Sequence, residues 1–181
     1  MRDSISNDDN YLNVCRAAVQ DESIFKNFKR SQGYHAILEH GQRYLDIIKK
    51  TAPELLELCP KFLENDLQGN PITFNYSIGE ASPTTLRYIK VLADLTNLFG
   101  SLDGMNIVEI GCGYGGQSKM ICEAFDIPSY TYIDLPDVIN LIDKYTSKTL
   151  SEQTKEFIPS NELKHKIKDS YDLVISNYAF S

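Results

Sequence analysis

Apolar positions in the first half of the chain recur mostly at intervals of three and four, the spacing of a helix with one buried face. Tyr11, Val14, Cys15, Ala18 and Val19 form one such stripe behind the acidic start Asp8-Asp9. A second helix is predicted from about Tyr34 to Lys50, with Ile37, Leu38, Tyr44, Leu45 and Ile48 inward. Pro53 and Pro60 suit the first positions of short helical pieces that carry Leu55, Leu58, Phe62 and Leu63. Gln68-Gly69-Asn70-Pro71 is a turn signal, and Ile72 to Ser77 is predicted to be extended. Ser82 then sets a side-chain cap ahead of Pro83 at the first helical position. The strongly apolar helix they open runs to about Phe99 and is closed by Gly100.

After Gly104 the period changes. Asn106-Ile107-Val108-Glu109-Ile110 is a short apolar run ending in glycines, the pattern of a buried parallel strand. Gln117 to Phe125 returns to helix, and Tyr130 to Asp134 is aromatic and β-branched, hence strand. Pro136 opens a helix in which Val138, Leu141, Ile142 and Tyr145 share one face. Glu156-Phe157-Ile158 is predicted as a third strand, and Tyr171 to Asn177 as a fourth. This alternation predicts an α/β fold with a Rossmann-like parallel sheet joined by right-handed crossovers. The boundary is expected near residues 70 to 80: a helical N-terminal accessory region over 1–75, then a cofactor-binding Rossmann-like domain over 76–181, truncated after its fourth strand. Leu173-Val174-Ile175 is apolar enough to need neighbours on both edges, and the chain stops shortly after it. The sheet is therefore expected to lack its C-terminal strands.

A chain of 181 residues can form one domain with a small accessory region. Its net charge of −7, with Lys and Arg scattered singly or in pairs such as Lys49-Lys50, argues against a nucleic-acid partner. Met1 to Asp9 lacks the apolar stretch of a signal peptide, and nowhere does the sequence approach the ~20 apolar residues of a membrane span. Cys15, Cys59, Cys112 and Cys122 show neither Cys-x-x-Cys pairing nor a histidine at zinc spacing. They predict reduced, mostly buried thiols, a cytoplasmic protein and no metal site.

The glycines carry the chemistry. A strand that ends in closely spaced glycines and feeds a helix brings backbone N–H groups up to a ligand where side chains would block it. Gly111, Gly113 and Gly116 satisfy G-x-G-x-x-G, and Asp134 stands where a ribose-binding acid is expected, so a dinucleotide would fit. Glu109 tilts the choice, because dinucleotide sites usually carry an apolar residue there. The order Glu109, Gly111, Gly113, Gly115 resembles instead the first motif of class I methyltransferases. S-adenosylmethionine has no pyrophosphate; it needs close backbone approach and a carboxylate to meet its ammonium end. Asp134 would accept hydrogen bonds from the ribose hydroxyls, with capping of the helix at Pro136 as the structural alternative.

Asp134-Leu135-Pro136-Asp137-Val138-Ile139 resembles the Asp-Leu-Pro-x-Val-Ile element after the second strand of small-molecule O-methyltransferases, notably the plant phenolic ones. Ser82 to Leu92, Ile107 to Gly116 and Ser176 to Ser181 together are similar to a bacterial family of sugar O-methyltransferases. The helical start, with Phe28-Lys29-Arg30-Ser31 and Gly33 to His40, resembles that family too. The resemblance spans about residues 72 to 181 and implies a class I fold of strand order 3-2-1-4-5-7-6, this chain supplying strands 1 to 4.

It also implies S-adenosylmethionine as cofactor. Glu109 and the Gly111-Cys112-Gly113-Tyr114-Gly115 backbone would hold the methionine end, Asp134 the ribose, Leu135 the adenine face, and Ser160 and Asn161 the adenine edge. Asn177 and Tyr178 fall at the end of the fourth strand, where the reacting centre is expected. Ser176-Asn177-Tyr178 lacks both prolines of the Asn-Pro-Pro-Tyr motif of amino-directed methyltransferases, so that activity is not carried over.

The acceptor implied is a sugar hydroxyl of a glycan or nucleotide sugar, which the enzyme must position and deprotonate. Neither the three histidines, His35, His40 and His165, nor Glu80 identifies itself as the base. The N-terminal helices or an open sheet edge are candidate surfaces for a homo-oligomer. A nicotinamide-dependent oxidoreductase and a non-catalytic cofactor-binding or interaction fold are the alternatives.

Overall fold

The computed structural model describes residues 4–31, 37–150, 154–167 and 170–177. Helices come first: α1 (Ser4–Gln20), α2 (Glu22–Phe25), α3 (Phe28–Ser31), α4 (Leu38–Thr51) and α5 (Cys59–Leu63), with 3-10 turns at Pro53–Leu58 and Glu64–Leu67. Cys15 and Ala18 of the α1 stripe are fully buried. The second predicted helix begins later than its periodicity suggested. Ile37 is extended at φ −112°, and Tyr34 to Ala36 lie outside the described residues. Ile37 and Leu38 are 41% and 42% exposed, whereas Leu45 and Ile48 are fully buried. The buried positions of α4 are Gly41, Leu45 and Ile48, so the apolar pair at its start lies off the face that packs on the protein.

A hairpin of β1 (Phe74–Tyr76) and β2 (Gly79–Ala81) follows, paired antiparallel with Phe74 opposite Ala81. Its second strand was not expected. Gly79-Glu80-Ala81 has no β-branched or aromatic residue, and its extended form comes from pairing with β1. In α6 (Pro83–Phe99), Ser82 Oγ accepts from the Thr85 N–H at 3.1 Å, and Gly100 ends the helix at φ 74°.

The remaining elements alternate: β3 (Asn106–Ile110), α7 (Gly116–Ala124), β4 (Ser129–Asp134), α8 (Pro136–Thr149), β5 (Thr154–Pro159), α9 (Leu163–Lys166) and β6 (Leu173–Ile175). The four strands form a parallel sheet in the order β5-β4-β3-β6, an α/β arrangement compatible with a Rossmann-like fold. The chain steps outward from β3 to β4 and β5, then returns to the far side of β3. Strand order thus reverses between β3 and β6. The fourth strand pairs over only Leu173–Ile175, less than the predicted run; the Asn106 N–H donates to Asp172 Oδ2 at 2.7 Å just before it.

One face of the sheet carries Ile107, Tyr130, Tyr132, Leu173 and Ile175, and these join a single core that reaches back to Cys15, Phe25, Phe28 and Leu45. The helical half and the sheet therefore share one apolar interior. Val108, Ile133 and Ile158 make a smaller cluster on the opposite face, where Val174 is 59% exposed. Charged contacts tie α1 to α8. Arg16 Nε donates to Asp137 Oδ2 at 2.7 Å, and Lys144 Nζ donates to the Ala18 carbonyl at 2.8 Å, neutralising the end of α1. Cys15, Cys59 and Cys112 are buried and Cys122 half-buried, all as free thiols. No helix among the described residues is long and apolar enough to cross a membrane.

Candidate functional site

Parallel pairing sets the carboxyl ends of the strands side by side. Ile110 pairs with Ile133, and Asp134 with Pro159, so the glycine turn after β3, the Asp134-Leu135 step and the Ser160-Asn161 turn share one rim. Asn177 follows β6 on the other side of β3, across the point where strand order reverses. In open α/β sheets that is where ligands bind.

Gly111, Gly113 and Gly115 take φ of 75°, 58° and 90°, a left-handed backbone that L side chains adopt at a cost of about 1–2 kcal/mol. The Gly111 N–H donates to the Ile133 carbonyl at 2.9 Å, which ties the turn to the end of β4. A Cβ on Gly113 would meet nothing within 4 Å: its outer side is open space. The opposite holds at Gly116, where a Cβ would stand 2.5 Å from Tyr88 Cε2 and 2.8 Å from Tyr114 Cε2. Gly113 leaves room for a ligand, and Gly116 lets α7 approach its aromatic neighbours.

Asp134 binds the turn directly. Its Oδ2 accepts from the Gly113 N–H at 3.2 Å and its Oδ1 from the Leu135 N–H at 2.8 Å. Burial raises its pKa, and backbone donors at Leu135, Gly113 and Cys112 partly offset that. It does not cap α8: the N-cap position belongs to Leu135, with no side-chain cap bond. Each oxygen keeps acceptor capacity for a further donor. Leu135 beside it is 45% exposed, an apolar side chain at the rim.

Glu109 sits elsewhere. It is 2% exposed on the helix-covered face of β3, and its Oε2 accepts from the Tyr130 hydroxyl at 2.8 Å. Burial is the main cause that pushes its pKa up to about 8, with the charge of Asp134 adding to the rise and the Tyr130 bond opposing it. Its backbone carbonyl takes the Cys112 thiol at 3.0 Å, and burial holds that thiol well above its ordinary pKa. Glu109 and Cys112 thus lie beneath the turn, while Gly113 and Asp134 border its open side.

Tyr114, between the glycines, points into the helical half. Its ring meets Phe28, Tyr88 and Tyr145 edge-on at centroid distances of 5.4, 5.9 and 5.0 Å. Asn65, fully buried, donates to the Tyr114 hydroxyl at 3.1 Å and to Thr85 Oγ1 at 2.6 Å, and accepts from the Tyr145 hydroxyl. Lys29 is 7% exposed, with its ammonium 4.5 Å from the Tyr114 ring centroid. Sequence reasoning gave Asn65, Lys29 and Tyr114 no role of their own. A lone Asn or Lys carries no sign in one sequence that it is buried.

Ser160 and Asn161 are exposed at the end of β5, and Asn177 is half-buried after β6. Glu80 lies on the hairpin and accepts from the Thr73 hydroxyl. His35 and Tyr178 fall outside the described residues. Among the described residues no three His, Cys, Asp or Glu side chains converge on one point. No protein-family model matches the chain, and no curated protein matches it.

Proposed function

We propose that this rim binds S-adenosylmethionine and that the chain is a class I methyltransferase acting on a sugar hydroxyl. The observation that carries this reading is the Asp134–Gly113 bond. A pyrophosphate would need the turn's N–H groups as donors; here one of them serves a carboxylate, which would repel a phosphate. A ligand with ribose hydroxyls and positive rather than negative charge suits the same arrangement. Open space over Gly113 fits close approach of such a ligand to the backbone.

In this reading Asp134 accepts from the ribose hydroxyls, Leu135 covers the adenine face, and Ser160 and Asn161 offer polar groups at its edge. The Gly111–Gly115 backbone takes the methionine end, and Asn177 faces the reacting centre. Glu109 and Cys112 support the turn from below rather than meeting the ammonium group. The bound cofactor supplies an electrophilic methyl carbon on a sulfonium; the chain's own task is to orient the acceptor hydroxyl in line with it and exclude water. The sugar class rests on the sequence resemblance of Ser82 to Leu92, Ile107 to Gly116 and Ser176 to Ser181.

Calorimetric titration with S-adenosylhomocysteine and with NAD tests the proposal. Binding of the first and silence toward the second is expected; tight NAD binding alone would replace the reading with a nicotinamide enzyme. Asp134→Ala is expected to weaken S-adenosylhomocysteine binding by on the order of 1–3 kcal/mol, the loss of hydrogen bonds to a charged group. Unchanged affinity would remove Asp134 from the site.

A further inference from the structure

Beside the glycine turn, between α3, the segment at Ile72 and the start of α6, lies a narrow cleft with about 20 Å³ of space open to a water-sized group. Lys29, Arg30, Ile72, Ser82, Thr84 and Tyr114 are among its walls. Tyr114 belongs to both places, since it lies between Gly113 and Gly115 while its side chain borders the cleft.

Lys29 is a buried cation that forms no ion pair among the described residues. Its ammonium donates to the Asn65 carbonyl and otherwise faces aromatic rings, 4.5 Å from the Tyr114 centroid and 5.3 Å from that of Tyr145. Asp66, the acid acting on it, is shared with three other donors. Oδ2 takes the Ser82 N–H at 2.7 Å, and Oδ1 takes the Ser82 and Thr85 hydroxyls, each at 2.8 Å. Burial wins over Asp66, Lys119 adds repulsion, and the Lys29 pKa falls to about 7. Arg30, exposed, adds a second positive charge to the same cleft. Isolated buried cations are costly unless something pairs with them.

We propose that this cleft is an anion subsite, taking a carboxylate or phosphate group of a ligand seated on the glycine turn, with Lys29 and Arg30 as its cations. The proposal rests on the reading of that turn as the S-adenosylmethionine site. Two sources share the chemistry: the amino-acid carboxylate of the cofactor, and a phosphate on the sugar acceptor. Either would pair with Lys29, which forms no ion pair among the described residues. Arg30, with its planar fork of donors, suits both oxygens of such a group.

The test is calorimetry on the full chain and on Lys29→Met and Arg30→Gln, with three probes. S-adenosylhomocysteine carries the amino-acid end, 5′-methylthioadenosine is a nucleoside thioether without it, and inorganic phosphate stands alone. If the carboxylate is the source, both variants lose about tenfold or more toward S-adenosylhomocysteine and keep their affinity for 5′-methylthioadenosine. If the acceptor supplies the anion, both nucleosides bind the variants as they bind the parent, and phosphate binds the parent but neither variant. Equal binding of every probe by parent and variants overturns the subsite, as does a parent that ignores phosphate while the variants hold S-adenosylhomocysteine unchanged. A parent silent to both nucleosides but binding phosphate through these cations would refute the reading of the turn and leave the subsite standing. Arg30→Gln alters an exposed side chain, so it decides the matter even if Lys29→Met fails to fold.

Discussion

Glu109 and Lys29, one beneath the turn and one beside it, are both held away from their ordinary ionisation. Glu109 moves from 4.5 to about 8, so between these values the unfolded chain loses a proton that the folded chain keeps. The unfolded state then binds fewer protons, and stability falls as pH rises through that window. Lys29 moves from 10.5 to about 7, so in its window the unfolded chain binds more protons and stability rises with pH. Glu109→Gln keeps an acceptor for Tyr130 and is expected to remove the acid-side fall, adding on the order of 1–3 kcal/mol near pH 8 and little near pH 5. Denaturant titrations across pH measure this; a parent-like profile would show the carboxyl ionised inside the fold. The glycines divide in the same manner. Gly116→Ala drives a methyl into Tyr88 and Tyr114 and is expected to cost about 1–3 kcal/mol of stability. Gly113→Ala meets open space, so backbone strain of about 1 kcal/mol is its main cost, with a larger loss in S-adenosylhomocysteine affinity. Equal effects of the two on both measurements would contradict this division. Gly111, Gly113 and Asp134 were legible as a group because backbone conformation and charge leave a local pattern. Asn65 and Lys29 were not, because burial is a property of the neighbours that folding brings.

Among the elements, α6 shows local sequence and tertiary contact agreeing. Ser82 caps the helix through the Thr85 N–H, as the Ser-Pro order predicts, and Asp66 grips the same serine from the preceding turn. Ser82→Ala is expected to destabilise by on the order of 1–2 kcal/mol in denaturant unfolding, since the cap is buried and Asp66 loses a donor. Arg16→Ala, by contrast, should cost under about 1 kcal/mol, because its ion pair with Asp137 has an arginine side chain 51% exposed. A loss at Arg16 as large as at Ser82 would mean that the charge pair, not apolar packing, holds α1 on α8. The expectations for β3, α7, β4 and α8 needed little adjustment, each having a strong period and a marked start. The start of α4 and the strand β2 were misread for the same reason. Ile37-Leu38 looks helical without its surroundings, and Gly79-Glu80-Ala81 looks irregular without its partner strand.

At the scale of the molecule, the continuity of the core from Cys15 to Ile175 is the governing fact. Helical half and sheet are expected to unfold in one transition. Far-UV circular dichroism follows the helices. The near-UV tyrosine signal follows Tyr114, Tyr130, Tyr132 and Tyr145, all 2% exposed or less. Coincident midpoints are the expected result, and separated ones would show that the two halves are independent units. The sequence by itself determined the alternation of strand and helix, the glycine turn, the acid at the end of the second sheet strand and the capped helix before the sheet. Each of these depends on residues near one another along the chain, where backbone preference and periodicity act directly. Tertiary structure alone decided that strand order reverses between β3 and β6, that Glu109 is buried beneath the turn while Asp134 grips it, and that Lys29, some eighty residues before the glycines, lies against Tyr114. Those outcomes follow from which surfaces meet when the apolar faces are buried together, and no local pattern encodes that meeting.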